Sequence, residues 1–528
     1  MPSFRHAALQ LLEPGYLAVP WRAEVCAVAV QSATLRAWQR LRGWRTPGKY
    51  RRDEGDGHPH DVVLEKLLEA KQAKVLSQEV HVMDFDFEHL PSDRKKLLEL
   101  HIKQSGRLDA MIYWWSCYMV RGDKEPSMSN APSWASQLPR TEIDHWRQAV
   151  CVLPGRCKVR KGETLRLWAF HSDEDLWFRL SESKISMPKA SSLLGSLSSL
   201  RLWMLSESQR YRHLQAALAR ALKRAWRRER REGVPLLGTR LLDLSDGFVM
   251  SSLASSLKGQ PRCRGLRLLR AGHTTLISLE SSREDLEITK DLVRKRPRTL
   301  SVRPVLGSPS LVAESISILC GEPFARACED STCDSHFWHH WAQVDALRFS
   351  LRPGAELLPR HFRLQAVLIT CPELWRRRQE VTQVQGVDVS AMNRLHPKES
   401  GRSARFPCGL WQLEHALVSE PGTLCLVDMA EPFPTQPLSF PELHLAADGA
   451  VHGLATWTDV WLGTWVSTAR VARRFRPAPA RQGVVLAPEP SCSVAVQSCF
   501  NPLDGVLTLK ARWKRVAKGS PSSLTSQV

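Results

Sequence analysis

The sequence lacks any apolar run that approaches the roughly eighteen residues a membrane-spanning helix requires. It also lacks a secretory signal pattern, because Glu13, Arg22 and Glu24 interrupt the apolar stretches near the N-terminus. The thirteen cysteines are odd in number and scattered, so they do not form a dense disulfide framework. We therefore expect no membrane partner and a soluble chain with reduced thiols, located in the cytoplasm and nucleus.

Acidic residues are scarce relative to basic ones. The 54 Asp and Glu residues stand against 74 Lys and Arg, which gives a formal net charge of +20 and a pI near 9.7. Such a charge favours acidic partners, although basic residues often only solvate helix faces. The cluster Arg227-Arg228-Glu229-Arg230-Arg231 has no accompanying aromatic platform or known reader motif, so direct contact with nucleic acid is not expected.

A chain of 528 residues is too long for one core, and this one contains a long internal match. Residues 12–20 (LEPGYLAVP) align without gaps to residues 351–359 (LRPGAELLP), an offset of 351 − 12 = 339. Three further matches follow in order at similar offsets: Asp86 with Asp428, Trp114 with Trp457, and Arg147-Gln148 with Arg481-Gln482. Four ordered matches predict a duplicated module of about 340 residues whose first copy begins partway through the module.

Apolar runs that alternate with helical patterns predict a parallel sheet in the second copy. The predicted strands are Leu241–Leu244, Leu276–Glu280 and Ile316–Leu319, and the predicted helices are 207–231, one through Met250, Leu253 and Leu257, and one through Phe337, Trp338, Trp341 and Val344. After Pro20, and again after Pro359, alternating apolar residues predict the strands of an antiparallel sheet or barrel.

The predicted fold class is therefore α/β plus β, in which a doubly wound nucleotide-binding half precedes a β-barrel half. The first copy keeps only its barrel. The predicted segments are a barrel half at 1–183, a linker at 184–204 that is rich in Ser, a degenerate nucleotide-binding half at 205–350, a second barrel half at 351–515 and a disordered tail at 516–528.

Short motifs, in order along the chain, resemble those of the protein arginine methyltransferases. The barrel loop of that family carries Thr-His-Trp, and its tandem type 7 members are similar to this chain in having Asp144-His145-Trp146 there. Tyr113-Trp114-Trp115 resembles the family's tryptophan-rich barrel segment, and Gly321-Glu322-Pro323-Phe324 resembles the degenerate acidic loop of a tandem second module.

The resemblance implies a Rossmann-like domain with a β-barrel in tandem modules, and S-adenosylmethionine as the methyl donor. It also implies methylation of arginine in Arg/Gly-rich proteins, such as histones or splicing proteins, and modules that form an intrachain pseudo-dimer. The family's two catalytic glutamates and its first cofactor site would precede residue 1, so we expect no catalytic residue in this chain. Asp144, His145 and Trp146 would border the arginine pocket, but in the isolated chain Trp146 is expected to fill the core.

The resemblance assigns four relics of a cofactor site to the second copy: Asp243, Gly247, Glu280 and Glu322. Gly247 is the single glycine left in the turn that should approach the cofactor, and Phe248 and Val249 would crowd it. Glu280, at a strand end, is placed to bind ribose hydroxyls. Glu322 matches the first glutamate of the acidic loop, whereas Ser331 stands where the second is expected. The resemblance thus predicts a pseudo-domain that binds S-adenosylmethionine poorly.

Two functions remain open: an arginine methyltransferase in its complete form, inactive as these residues alone, and a non-catalytic scaffold for acidic or RNA-associated partners. A metal site is not expected. Cys328, Cys333, His336 and His339 have an unusual spacing for zinc, and the family resemblance explains that segment without metal.

Overall fold

The chain divides into two compact units, residues 1–42 with 48–207 and residues 43–47 with 208–528. The computed structural model describes residues 2–39, 60–89, 94–135, 146–172, 176–181, 199–232, 239–245, 275–280, 283, 286–287, 289–290, 301–307, 315–322, 335–384, 386–393, 405–469 and 474–515. Among the helices in these ranges, none is long and apolar enough to cross a membrane.

The first unit is built on antiparallel sheets. Its helices are α1 Pro2–Gln10, α2 Ala33–Gln39, α3 Leu64–Glu69 and α4 Ser199–Ser206. Its strands are β1 Arg22–Gln31, β2 His60–Val62, β3 Lys74–Val75, β4 Val80–Asp86, β5 Arg94–His101, β6 Gly106–Tyr118, β7 Met128–Ser129, β8 Gln148–Val159, β9 Thr164–His171 and β10 Leu176–Leu180. A seven-stranded sheet of order β2-β8-β6-β1-β3, with β4 and β7 at its sides, faces the three-stranded sheet β10-β9-β5 across a common apolar core.

The second unit begins with an α/β half. Its elements are helix α5 Ser208–Arg231, strands β11 Arg240–Asp243, β12 Thr275–Glu280, β13 Ser301–Leu306 and β14 Ile316–Cys320, helix α6 Ser335–Ala346, a 3-10 turn at Arg348–Ser350 and strand β15 Leu351–Leu358. The five strands form a parallel sheet of order β13-β12-β11-β14-β15. The predicted strands and the predicted helices at 207–231 and 337–344 are therefore confirmed. The predicted helix through Met250 lies outside the described residues.

Helix α5 forms where the sequence predicts it because its apolar residues recur at spacings of three and four. Tyr211, Leu214, Leu218 and Leu222 are all buried along one stripe. Helix α6 covers the sheet in the same way, since Val344 packs into the core with Leu242, Ile277 and other strand residues. Burial of one helix face against the apolar strands holds this half together.

One boundary differs from the sequence expectation. Residues 351–515 were assigned to the second barrel, but Leu351–Leu358 pairs in parallel with β14 as the fifth strand of the α/β sheet. The sequence does not indicate a strand here, because Pro353 and Gly354 are typical of a loop that leads into a barrel. The strand instead carries Leu358 to a buried position, 7 % exposed, and the antiparallel half begins after Pro359.

The antiparallel half of the second unit contains the remaining elements. They are β16 His361–Thr370, α7 Pro372–Arg377, β17 Gln383–Val384, β18 Val387–Asp388, α8 Ser390–Asn393, β19 Phe406–Cys408, a 3-10 turn at Leu410–Gln412, β20 Ala416–Leu417, β21 Gly422–Asp428, β22 Leu438–Ser439, β23 Leu443–Trp461, β24 Trp465–Ser467, β25 Gln482–Asn501 and β26 Val506–Arg515. Nine of these strands form one sheet along the path β19-β25-β23-β16-β20. The fold class, α/β plus β, is confirmed.

The large antiparallel sheets of the two units have the same plan. β16 occupies the place of β1, β23 that of β6, and β25 that of β8. A bulge interrupts β1 between Val25 and Cys26, and the bulge in β16 falls between Leu364 and Gln365, an offset of 364 − 25 = 339. Cys26 is paired across the sheet with Trp114, and Gln365 with Trp457.

The segments that precede these two sheets differ in burial. Val19 is 73 % exposed and Leu17 is 78 % exposed, in a stretch of the first unit without regular structure. The matching position to Val19 at the offset of 339 is Leu358, which β15 holds against β14. The predicted linker at 184–204 is described only from 199, where α4 begins, and the predicted tail at 516–528 lies outside the described residues.

This asymmetry predicts different costs for two matched truncations. Leu358→Ala should lower the free energy of unfolding of the second unit by about 2–5 kcal/mol, because it leaves a cavity beside the parallel sheet. Val19→Ala should change the first unit by less than about 0.5 kcal/mol, as an exposed side chain loses little. Denaturant titrations of the two variants measure both effects, and equal costs would contradict the difference in burial.

Candidate functional site

Three carboxylates lie at the carboxyl edge of the parallel sheet, the place where open α/β sheets bind their ligands. Asp243 ends β11, Glu280 ends β12, and Glu322 follows β14 by two residues. The register places Asp243 beside Ser278 on one side and Cys320 on the other. The structure therefore brings together three of the four predicted relics. Gly247 lies outside the described residues.

Asp243 closes the turn after its own strand. The backbone N–H of Ser245 donates to Asp243 Oδ1 at 2.9 Å, and the Ser245 hydroxyl donates to the same oxygen. Asp243 is fully buried, and its charge adds to burial in raising the pKa of the Cys320 thiol beside it. Cys320 therefore stays protonated and is no nucleophile at neutral pH.

Glu280 is fully buried and accepts a hydrogen bond from the Ser278 hydroxyl at 2.9 Å, two residues earlier on the same strand. A carboxylate that recognises ribose must present its oxygens to the ligand. In this structure Glu280 is closed to solvent, and one of its oxygens is engaged by its own strand.

Glu322 is held by a guanidinium of the chain itself. Arg210 Nε donates to Glu322 Oε1 at 2.9 Å, and the two side chains are 5 % and 3 % exposed. Hydrogen bonds between two charged groups are stronger than those between neutral groups, and they are stronger still in the protein interior. The Glu322 carboxylate is therefore engaged within the second unit by Arg210.

The chain packs closely at Gly321, the residue before Glu322. An added Cβ there would lie 3.0 Å from His340 Cε1 and 3.1 Å from the Ser245 nitrogen, so a larger residue would require its neighbours to shift. The loop after β14, the turn after β11 and helix α6 therefore touch at Gly321. Burial, with a smaller contribution from the nearby His339, lowers the pKa of His340 to about 4, so His340 is neutral at pH 7.

Arg210 is not among the site residues predicted from the sequence. A signal for it exists, because Arg210 lies four residues before Leu214 on the buried stripe of α5. A charged residue on the apolar face of an amphipathic helix needs a buried partner, since an isolated charge in the interior is very costly. Only the fold shows that the partner is Glu322, 112 residues away.

The predicted substrate loop in the first unit is described only in part. Asp144 and His145 lie outside the described residues, whereas Trp146 is 42 % exposed with its ring centroid 5.0 Å from that of Trp115. The expectation that Trp146 fills the core is wrong, because the residue is partly exposed and its ring packs edge-on against Trp115.

One cluster among the described residues has metal-ligating side chains. Ligand atoms of Glu24, His81 and Asp84 lie within 4.8 Å of one another. Ordinary contacts explain this cluster, because Arg22 pairs with both carboxylates and His81 pairs with Asp84 at 3.1 Å. The predicted absence of metal remains a prediction, and Cys328 and Cys333 lie outside the described residues.

Comparisons with known proteins agree with the family resemblance. Residues 22–187 match the arginine methyltransferase oligomerization subdomain. Protein arginine N-methyltransferase 7 of Rattus norvegicus is 26% identical over 567 aligned residues, covering 97% of this chain and 77% of that protein. Protein arginine N-methyltransferase 1.6 of Arabidopsis thaliana is 24% identical over 494 residues, covering 87% and 64%. A solved Trypanosoma brucei PRMT1 enzyme-prozyme complex with AdoHcy is 15% identical, covering 59% of this chain and 96% of that chain, with a TM-score of 0.38.

Because Arg210 and Glu322 form a buried pair, the effects of substituting them on the free energy of unfolding should not add. Arg210→Met should lower the free energy of unfolding of the second unit by about 3–5 kcal/mol, because it leaves a buried carboxylate without its partner. The double variant Arg210→Met with Glu322→Leu should lose much less, since both charges are then absent. Removing the exposed Arg512, which pairs with Glu442, serves as the control and should cost under about 1 kcal/mol. If Arg210→Met is as mild as that control, the buried pair is not intact in solution.

The lowered pKa of His340 predicts that the second unit is less stable in acid. Its pKa of about 4 in the folded chain lies below the ordinary value of 6.5, so between those pH values the unfolded chain binds a proton that the folded chain does not. The second unit should lose about 3 kcal/mol as pH falls from 6.5 to 4, with no contribution from His340 above 6.5. The variant His340→Gln should flatten this dependence in denaturant titrations across pH, whereas His339→Gln should retain most of it. An unchanged profile for His340→Gln would contradict the assignment.

Proposed function

We propose that this chain, which belongs to the protein arginine methyltransferase family, serves S-adenosylmethionine-dependent methylation of arginine in Arg/Gly-rich proteins such as histones and splicing proteins. We further propose that residues 1–528 require an additional α/β domain for this reaction. The pair between Arg210 and Glu322 is the observation that carries the second part.

The second unit does not offer a site for the methyl donor and its acceptor among the described residues. Glu280 is covered and bonded to Ser278, and Glu322 is bonded to Arg210. A substrate guanidinium would have to displace Arg210 from a carboxylate that is 3 % exposed. Displacement would leave the Arg210 charge uncompensated in the interior, and such a charge costs several kcal/mol. No step of methyl transfer is therefore assigned to this edge.

The first unit supports the need for an additional domain. In the second unit a parallel α/β sheet covers the segment that leads into the antiparallel sheet, through the pairing of β15 with β14. The corresponding segment of the first unit exposes Leu12, Leu17 and Val19, which are 45 %, 78 % and 73 % exposed. Because contiguous exposed apolar surface is typical of an interaction site, we infer that another element covers this segment. An α/β domain docked there would bring its carboxyl edge to the first unit.

The tryptophan pair of the first unit is the substrate-side feature of this proposal. We infer that the partly exposed Trp146, packed beside Trp115, contacts the substrate arginine by a cation–π interaction. Asp144 and His145 precede it directly in the sequence and would border the same pocket. These residues would act together with the carboxylates of the additional domain. The substrate guanidinium would be positioned between the two, and catalysis requires that position to be fixed.

The test is methyl transfer by the purified chain. With tritiated S-adenosylmethionine and an Arg/Gly-rich peptide, we expect no incorporation above the protein-free blank, and no heat of binding in a titration with S-adenosylhomocysteine. The Rattus norvegicus relative, assayed in parallel, controls for the competence of the peptide. Transfer by this chain that disappears in Glu322→Gln would show an active second unit and contradict the proposal.

The alternative is a non-catalytic scaffold, and the basic surface of α5 favours it enough to keep it as a second candidate. The two candidates differ in the effect of an added domain. When the part of the rat relative that this chain does not cover is supplied in trans, the methyltransferase proposal expects transfer to the peptide that depends on Trp146. Failure to restore transfer, with the added domain shown to bind, would favour the scaffold.

A further inference from the structure

Helix α5 carries nine cationic residues over its 24 positions, and the structure divides them into two sets. Four have partners within the second unit. Arg210 pairs with Glu322, Arg224 with Glu356 at 2.8 Å, Arg220 donates to the Leu462 carbonyl at 2.8 Å, and Arg228 donates to the Gly354 carbonyl. These four contacts tie the helix to its own unit and account for less than half of its charge.

The other five are exposed, and none forms an ion pair with a described carboxylate. They are Arg212, Lys223, Arg227, Arg230 and Arg231. The helix has one acidic residue, Glu229, and it turns inward, where its carboxylate accepts from Arg352 at 3.0 Å and from the Ser317 hydroxyl at 2.6 Å. A merely solvated helix face usually mixes both signs of charge, and this one does not.

Helical geometry collects these side chains on one face. At about 100° per residue, Arg212, Lys223, Arg227 and Arg230 fall within an arc of about 60°. Trp226 lies about 40° from the edge of that arc, and its half-buried ring has the Arg230 guanidinium carbon 5.4 Å from its centroid. We call these five side chains the basic face of α5. Arg231 lies at its border.

We propose that the basic face of α5 binds the backbone of single-stranded nucleic acid. Phosphates would pair with the cations, and a base would stack beside Trp226. Three of the four cations are arginines, whose planar guanidinium groups contact phosphate through two hydrogen bonds at once. Grooves for single strands combine cations with an aromatic side chain on which a base stacks, and both are present here.

This inference revises the expectation drawn from the sequence. Direct contact with nucleic acid was not expected because no aromatic platform was evident beside Arg227-Arg228-Glu229-Arg230-Arg231. The helix directs Arg228 and Glu229 to partners within the second unit and places Trp226 beside the remaining cations. An acidic protein tract would pair with the cations but has no base that could stack beside Trp226. The proposal does not depend on methyl transfer.

The test measures binding of the full chain to fluorescein-labelled oligouridylate of about 15 nucleotides by anisotropy, over a range of about 50 to about 200 mM salt. The variant Lys223→Ala/Arg227→Ala/Arg230→Ala should weaken binding at least tenfold. It should also reduce the slope of log affinity against log salt by about 2, because each lost phosphate contact removes about 0.7. Trp226→Leu should weaken binding about threefold or more and leave the salt slope unchanged.

A matched control removes the same charge elsewhere in the second unit. Arg376, Lys510 and Lys514 are exposed, and their triple alanine variant should stay within twofold of the unaltered chain. Thermal melting confirms that each variant is folded. Oligothymidylate distinguishes RNA from a general single-strand preference, and either result supports the proposal. Equal loss in both triple variants would overturn it, as would binding of a polyglutamate peptide that competes fully with the oligonucleotide and is unaffected by Trp226→Leu.

Discussion

The ion pair of Arg210 and Glu322 is the interaction that decides whether the second unit can bind a ligand at its sheet edge. It joins the first helix of the unit to the loop after β14, and it lies at the sheet edge where an α/β fold ordinarily opens to its ligand. A buried ion pair is weak evidence for stability, because desolvation offsets much of its attraction. Its consequence for function is clearer. The carboxylate is bonded to Arg210, and the neighbouring Gly321 packs tightly against Ser245 and His340.

The two antiparallel sheets provide an internal comparison of the same plan in two settings. Their central strands β1 and β16 carry a bulge at matching positions and face Trp114 and Trp457 across the sheet. In the second unit the preceding segment completes a parallel sheet, whereas in the first it is exposed at Leu17 and Val19. The chain therefore shows within itself what covers such a segment, and this comparison supports the proposal of an additional α/β domain.

Much of the fold follows from sequence periodicity. The strands that end at Asp243, Glu280 and Cys320 and the buried stripe from Tyr211 to Leu222 are local patterns, so they can be read directly. The placement of Leu351–Leu358 was not readable, because its proline and glycine obscure a strand whose partner is distant in sequence. The same limit applies to the site. Asp243, Glu280 and Glu322 were identified, but the bond from Arg210 spans 112 residues and depends on how α5 lies over the sheet edge. The exposure of Trp146 likewise could not be predicted from the sequence, because it depends on tertiary packing around the ring.

The most direct measurement is the nuclear magnetic resonance signal of the Arg210 Nε–H, recorded in the intact chain and assigned by its loss in Arg210→Lys. A hydrogen bonded to a buried carboxylate exchanges slowly with water. The account predicts a protected signal that neither S-adenosylmethionine nor an Arg/Gly-rich peptide shifts. A signal that exchanges freely, or one that the peptide displaces, would contradict the proposal that Arg210 closes the carboxyl edge of the parallel sheet in the second unit.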